Sequence, residues 1–183
     1  MSDLMKSMRT KRVSGVAVAA AVGLLVAGCG GEQGAEPSAA PPPAKDVFQE
    51  FDPCTVLAPE EIQAFGAEPQ GIPNDLGVGQ TGCDFEGENL QFGVLEAPKD
   101  DRAFWEGQRS QFDMFAPNQV GSHEGFQGIA LGFEGEGTCN QTMYVGSGSV
   151  IVDITLTSDV MANVDPCAEV LKIAEVVESR LPA

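Results

Sequence analysis

Among its 183 residues the chain has one histidine, one tryptophan and one tyrosine, and only ten Lys and Arg against 27 Asp and Glu. The lone His123 has no spaced His or Cys partner and no Cys-x-x-Cys occurs, which argues against zinc and dithiol redox chemistry. So few cations disfavour nucleic acid, whose phosphates need Lys and Arg to displace counterions. Nor is there a run of the roughly 20 apolar residues that a membrane-spanning helix requires. The apolar stretch 13–27 is shorter and is interrupted by Ser14, Gly15 and Gly23.

That stretch has another use. Lys6, Arg9, Lys11 and Arg12 precede it and Val26-Ala27-Gly28-Cys29 ends it, the form of a bacterial lipoprotein signal peptide with its lipid-acceptor cysteine. Residues 1–28 are therefore expected to be removed, leaving Cys29 with a diacylglyceryl group and an N-acyl chain. Each buried CH₂ contributes about 0.8 kcal/mol, so two or more chains anchor stably without a span. The expected location is the outer, extracytoplasmic face of the cell membrane. Lys11-Arg12 is not a twin-arginine pair, which favours general secretion. The cysteine count agrees: five in an exported chain leave one over, and a lipidated Cys29 leaves Cys54, Cys83, Cys139 and Cys167 to pair.

The segment 29–45 continues as GGEQGAEPSAAPPPAK from Gly30, without an aromatic or β-branched residue. Such a composition cannot bury enough apolar surface to offset its ordering entropy, and it is expected to be a tether, extended at Pro41-Pro42-Pro43. Without residues 1–28 the chain keeps six basic and 26 acidic residues, a net charge of about −20. That speaks to solubility and association rather than to fold, and it opposes docking on anionic lipid.

Residues 46–183 read as one extracytoplasmic domain. Asp52-Pro53-Cys54 recurs as Asp165-Pro166-Cys167. Asp favours the N-cap and Pro the first helical position, so both read as helix starts. The first is expected to lead into a helix over 57–65, stopped by Gly66. The second leads into a helix whose stripe is Val170, Ile173, Ala174, Val177 and Leu181. A middle helix is expected within 100–115, where Phe104, Gln108, Phe112 and Phe115 share a face. Strands are expected at 82–86, 90–96 and 126–133, with a hairpin of 142–145 and 150–157. In its second arm Ile151, Asp153 and Thr155 alternate with Val152, Ile154 and Leu156. The fold class is therefore α+β: an antiparallel sheet of four to six strands, packed with about three helices and held by two disulfides.

Four cysteines allow three pairings. Cys54–Cys83 and Cys139–Cys167 are favoured, because each then joins the start of a helix to a neighbouring strand. Closing a loop of about thirty residues contributes roughly 3.5 kcal/mol in the chain-entropy picture.

Several of these residues together resemble a known family. Asp52-Pro53-Cys54 with Leu57 and Pro59-Glu60-Glu61, Cys83-Asp84-Phe85, Thr138-Cys139 before a hairpin, and Pro166-Cys167 before a helix ending Leu181-Pro182 are similar to the actinobacterial lipoproteins grouped as domain of unknown function 3558. The resemblance spans roughly 47–183, with Phe85 where the family often carries Trp. It implies an exported, disulfide-bonded α+β domain, and no catalytic residues.

Motifs that carry chemistry are weak. Gly77-Val78-Gly79-Gln80-Thr81-Gly82 matches a dinucleotide fingerprint, but Pro73-Asn74-Asp75 precede it and a strand follows, so a loop is expected. A Ser-His-acid set would have to use His123, beside Ser122 and Glu124; a solvated loop histidine is the ordinary expectation. Asp100-Asp101 or Glu134 with Glu136 are acid pairs that any such chain offers by chance. Asp159, Asn163, Asp165 and Glu169 lack the spacing of an EF-hand. Asn140-Gln141-Thr142 is a formal glycosylation sequon. No cofactor, metal or catalytic residue is assigned. The expected role is a non-enzymatic binding or accessory module of the cell envelope, whose partner is an envelope protein or a small ligand. The alternatives are a carrier of a small or lipidic ligand beside Phe104, Trp105 and Phe112, and a hydrolase using acidic residues in a cleft that displaces their pKa values.

Overall fold

The computed structural model describes residues 47–182. The expected signal peptide, Cys29 and the tether lie outside the described residues.

The two copies of Asp-Pro-Cys have different outcomes. Asp165 accepts from the Cys167 backbone N–H at 2.9 Å and caps α4, Pro166–Glu178. Asp52 accepts from Cys54 N–H, also at 2.9 Å, but only a turn follows, which corrects the first helix start. The physical reason is Pro59. It pushes the preceding Ala58 into extended backbone (φ −73°, ψ 149°), so a helix begun at Pro53 could not propagate past it. Helix α1 instead covers Pro59–Ala64, where the Glu61 carboxylate reaches back to the Ala58 N–H at 2.8 Å and supplies half of a capping box.

The strands are β1 Ile72–Asp75, β2 Thr81–Glu86, β3 Leu90–Ala97, β4 Phe112–Val120, β5 His123–Ala130, β6 Thr138–Val145 and β7 Gly148–Leu156. They form one sheet in the order β1-β2-β3-β7-β6-β5-β4, antiparallel throughout. Two meanders, one of three strands and one of four, thus meet along the β3–β7 seam. Among the described residues, seven strands overturn the expectation of four to six, and there are four α-helices where about three were expected. The added helix is the single turn α3, Ser158–Met161.

The strands not expected were β1 and β4, each for its own reason. β1 is a four-residue edge strand containing Pro73, mostly exposed, and so lacks an apolar alternation. β4 occupies part of the expected middle helix, which ends early as α2, Arg102–Gly107. Its register shifts between Phe112 and Met114. A bulge adds a residue to one strand, so Phe112 and Phe115, three apart, come to the same side of the sheet, both against Phe126. The spacing of three that resembles a helix period is a bulged strand.

One face of the sheet carries Cys83, Phe85, Phe92, Val94, Met143, Val150, Val152 and Ile154, packed with Val170, Ile173, Ala174 and Val177 of α4. The opposite face carries a smaller cluster in which Trp105 of α2 covers Leu95, Ala97, Phe126 and Ile151. Disulfides join Cys54 to Cys83 and Cys139 to Cys167, tying the turn before α1 to β2 and the first turn of α4 to β6.

Candidate functional site

His123 opens β5 and is buried, 8% exposed, which corrects the expectation of a solvated loop histidine. Its Nδ1 lies 2.9 Å from Glu178 Oε1 and its Nε2 lies 3.1 Å from the Pro182 carbonyl oxygen. Ser122 donates to the same carboxylate from its backbone N–H at 2.8 Å and its hydroxyl at 2.9 Å. Gly121, at φ +54°, leaves room for that carboxylate; a side chain there would collide with it. The Ser122 backbone N–H comes first, then His123, and then the Ser122 hydroxyl, in holding the Glu178 carboxyl below its ordinary value of 4.5.

This Ser-His-Glu set is wired differently from a catalytic triad. In a triad the nucleophile and the carboxylate occupy opposite ring nitrogens. Here both face Nδ1, with Ser122 Oγ at 3.3 Å, while Nε2 faces a carbonyl oxygen. The arrangement clasps the chain that leaves α4 against the β4–β5 turn. Nearby, Arg180 makes two hydrogen bonds to the Glu61 carboxylate at 2.6 and 2.8 Å, chiefly responsible for holding that carboxyl below its ordinary range. Between these contacts and Val47, Phe51 and Val56 runs a groove of about 660 Å³.

The other polar arrangement crosses the sheet on the face turned from α4. The pairing aligns Ile72, Asp84, Gly93, Asp153, Asn140, Gly128 and Phe115 in one transverse row. Glycine between Asp84 and Asp153 is a requirement of space. A Cβ on Gly93 would lie 2.5 Å from Asp153 Oδ1 and 3.0 Å from Asp84 Oδ1, so both carboxyls lean over the gap. Gly128 repeats the device, since its Cβ would meet Asn140 Oδ1 at 2.6 Å. Asn74 donates to both oxygens of Asp84, at 3.1 and 2.9 Å. Burial first, and then the neighbouring Asp84 carboxylate, push the Asp153 carboxyl above its ordinary value of 3.8, while backbone N–H groups of Gly93 and Asp153 pull the other way. Asn140 Oδ1 is buried and has no hydrogen-bond partner. A cavity of about 260 Å³ opens beside Asp153 and Asn140.

The other sequence candidates are dispersed. The glycine motif forms the loop between β1 and β2 and enters a strand, not a helix. Asp101 caps α2 by accepting from Phe104 N–H at 2.9 Å, and Asp100 accepts from Gln80. Asp165 is the α4 cap and Glu169 pairs with Lys172. Glu134 and Glu136 are exposed in the β5–β6 loop. Among the described residues no group of three His, Cys, Asp or Glu is placed to hold a metal. Phe104 stands at the surface, while Trp105 packs on Phe112 and Phe126 and donates from Nε1 to Ser149 Oγ at 2.9 Å.

Sequence reasoning missed the Asp84–Asp153 pair. The available signal was an acid at the centre of each of two strands, Cys83-Asp84-Phe85 and Val152-Asp153-Ile154. That they meet across Gly93 depends on the long-range β3–β7 seam.

A family model described as a protein of unknown function (DUF3558) matches residues 24–180, and the chain belongs to that family. No curated protein matches the chain, and no solved structure matches it.

Proposed function

We propose that this family member is an extracytoplasmic lipoprotein of actinobacterial type, anchored through acyl chains on Cys29, that serves as a binding or accessory module of the cell envelope. The basic segment and apolar run ending in Val26-Ala27-Gly28-Cys29 carry the proposal. The two disulfides support it, because such bridges persist in oxidising compartments. Among the described residues no helix is long and apolar enough to cross a membrane. The wiring of Ser122, His123 and Glu178 as a clasp supports binding over nucleophilic catalysis. Hydrolysis by acidic residues has the Asp84–Asp153 pair to draw on, and it is the outcome that would replace binding.

Mass spectrometry of the N-terminal peptide from native membranes tests the anchor. The expected result is a peptide beginning at Cys29 with a diacylglyceryl group, and release of Cys29→Ser from the membrane fraction. An unmodified N-terminus, or a cytosolic chain with reduced thiols, overturns the proposal. Turnover of ester or glycoside substrates that is lost in Asp153→Asn would establish the hydrolase instead.

A further inference from the structure

From the cavity beside Asp153 we infer a binding site for a primary ammonium group on a short apolar stem. It rests on the binding-module proposal, though not on the anchor, and three features of the cavity agree on that chemistry.

The acceptors come first. Asp153 and Asn140 both line the cavity. A carboxylate only accepts hydrogen bonds, and so does an amide oxygen. The orphan Oδ1 of Asn140 is the more telling, because a buried polar atom without a partner is costly and a donor brought by a ligand removes that cost. The second feature is charge. Asp84 and Asp153 lean towards one point over Gly93, and Asp84 is already held by Asn74, whereas Asp153 has a wall open to the cavity. A cation placed against Asp153 relieves the repulsion between them as well as the burial of a charge. The third is size and lining. About 260 Å³ admits a side-chain-sized group, and Gly128, Ala130 and Phe133 give it apolar walls. A stem of a few methylenes fits such walls and an ammonium head fits the oxygens. A phosphate or carboxylate ligand would meet two acids and no cation in the transverse row.

The same ammonium chemistry is offered by a free amine and by the lysine side chain of a protein, and the test separates them. The full-length chain in non-ionic detergent is titrated with n-butylammonium chloride, with n-butanol as the uncharged control, while the Asp153 carboxyl is followed by ¹³C NMR. The expected result is a saturable shift of that resonance with butylammonium, a titration midpoint displaced towards acid, and no effect of n-butanol. Asp153→Asn is expected to weaken binding at least about tenfold, equivalent to about 1.4 kcal/mol. Asn140→Ala, with both disulfides and the circular dichroism spectrum retained, should weaken it as well. A short peptide carrying one lysine, capped at both ends, forms the second arm. Binding of the peptide with the butylammonium affinity or better assigns a protein lysine, and binding of butylammonium alone assigns a free amine. Absence of a saturable shift with either probe, or equal shifts with n-butanol, overturns the site. That failure leaves the anchored module standing, because Cys29 acylation is read separately by mass spectrometry.

Discussion

The two faces of the sheet are made by the same strands and differ at every alternate residue. Beneath α4, β7 presents Val150, Val152, Ile154 and Leu156, each no more than 4% exposed. On the opposite face, β7 presents Ser149, Ile151, Asp153 and Thr155. Ser149 and Ile151 are sealed under Trp105, while Asp153 and Thr155 border a cavity. One face is closed from end to end and the other only halfway. The closed face accounts for most of the apolar burial, which is the main favourable term in folding. The half-open face retains a desolvated carboxyl and an amide oxygen without a partner, features that reduce stability and are expected where a site is kept for a ligand.

If that division is right, truncation costs most on the closed face. Phe85 is fully buried and stacked on Phe92 with ring centroids 4.9 Å apart, so Phe85→Ala should cost about 3–5 kcal/mol in urea denaturation. A loss below about 1 kcal/mol would show that this core relaxes far more than its packing implies. Next comes the sealed half of the other face. Trp105→Phe keeps a ring over Ile151 and Phe126 but strands the buried Ser149 hydroxyl, for an expected loss of about 1–3 kcal/mol. Equal costs for the two variants would remove the distinction between the faces.

The clasp that holds the end of α4 is smaller again and has a pH signature. Glu178→Gln replaces a carboxylate that accepts from Ser122 and faces His123, with an expected loss of about 1 kcal/mol at pH 7. Because the folded carboxyl is held below 4.5, its contribution is full above that value and disappears as pH falls through the lowered folded value. The gap between wild type and variant should therefore narrow in acid. A gap independent of pH would mean that the loss is steric.

What was legible in the sequence was what local chemistry decides. The α4 stripe as far as Val177, the Asp165 cap and the alternation within β7 depend on residues a few positions apart, and each has the same form in the structure, while Leu181, the last residue of the expected stripe, lies beyond the end of α4. The Asp52 copy of the cap motif did not, because Pro59, five residues beyond Cys54, sets the backbone of Ala58. Nor did β4, where a bulge imitates helical spacing. The candidate sites were least legible of all. Asp84 and Asp153 are 69 positions apart and meet only because β7 returns to lie beside β3. Ser122 and His123 reach Glu178 from 56 and 55 positions away, and no local pattern marks that closure.

The smallest expected effect falls on the open half and has the opposite sign. Asp153 is pushed above 3.8 by burial and by Asp84, so between 3.8 and its raised folded value the native state binds more protons than the unfolded chain. Stability therefore declines as pH rises across that window and levels off above it. Asp153→Asn abolishes the ionisation, and the variant should be more stable than wild type at pH 7, with the advantage shrinking as pH falls towards 3.8. Paired urea titrations at pH 7 and at the acid end measure this directly. A variant less stable than wild type at pH 7 would mean that the backbone N–H groups of Gly93 and Asp153 hold the carboxylate more strongly than burial opposes it. The row across Gly93 would then be a structural brace rather than a site waiting for a cation.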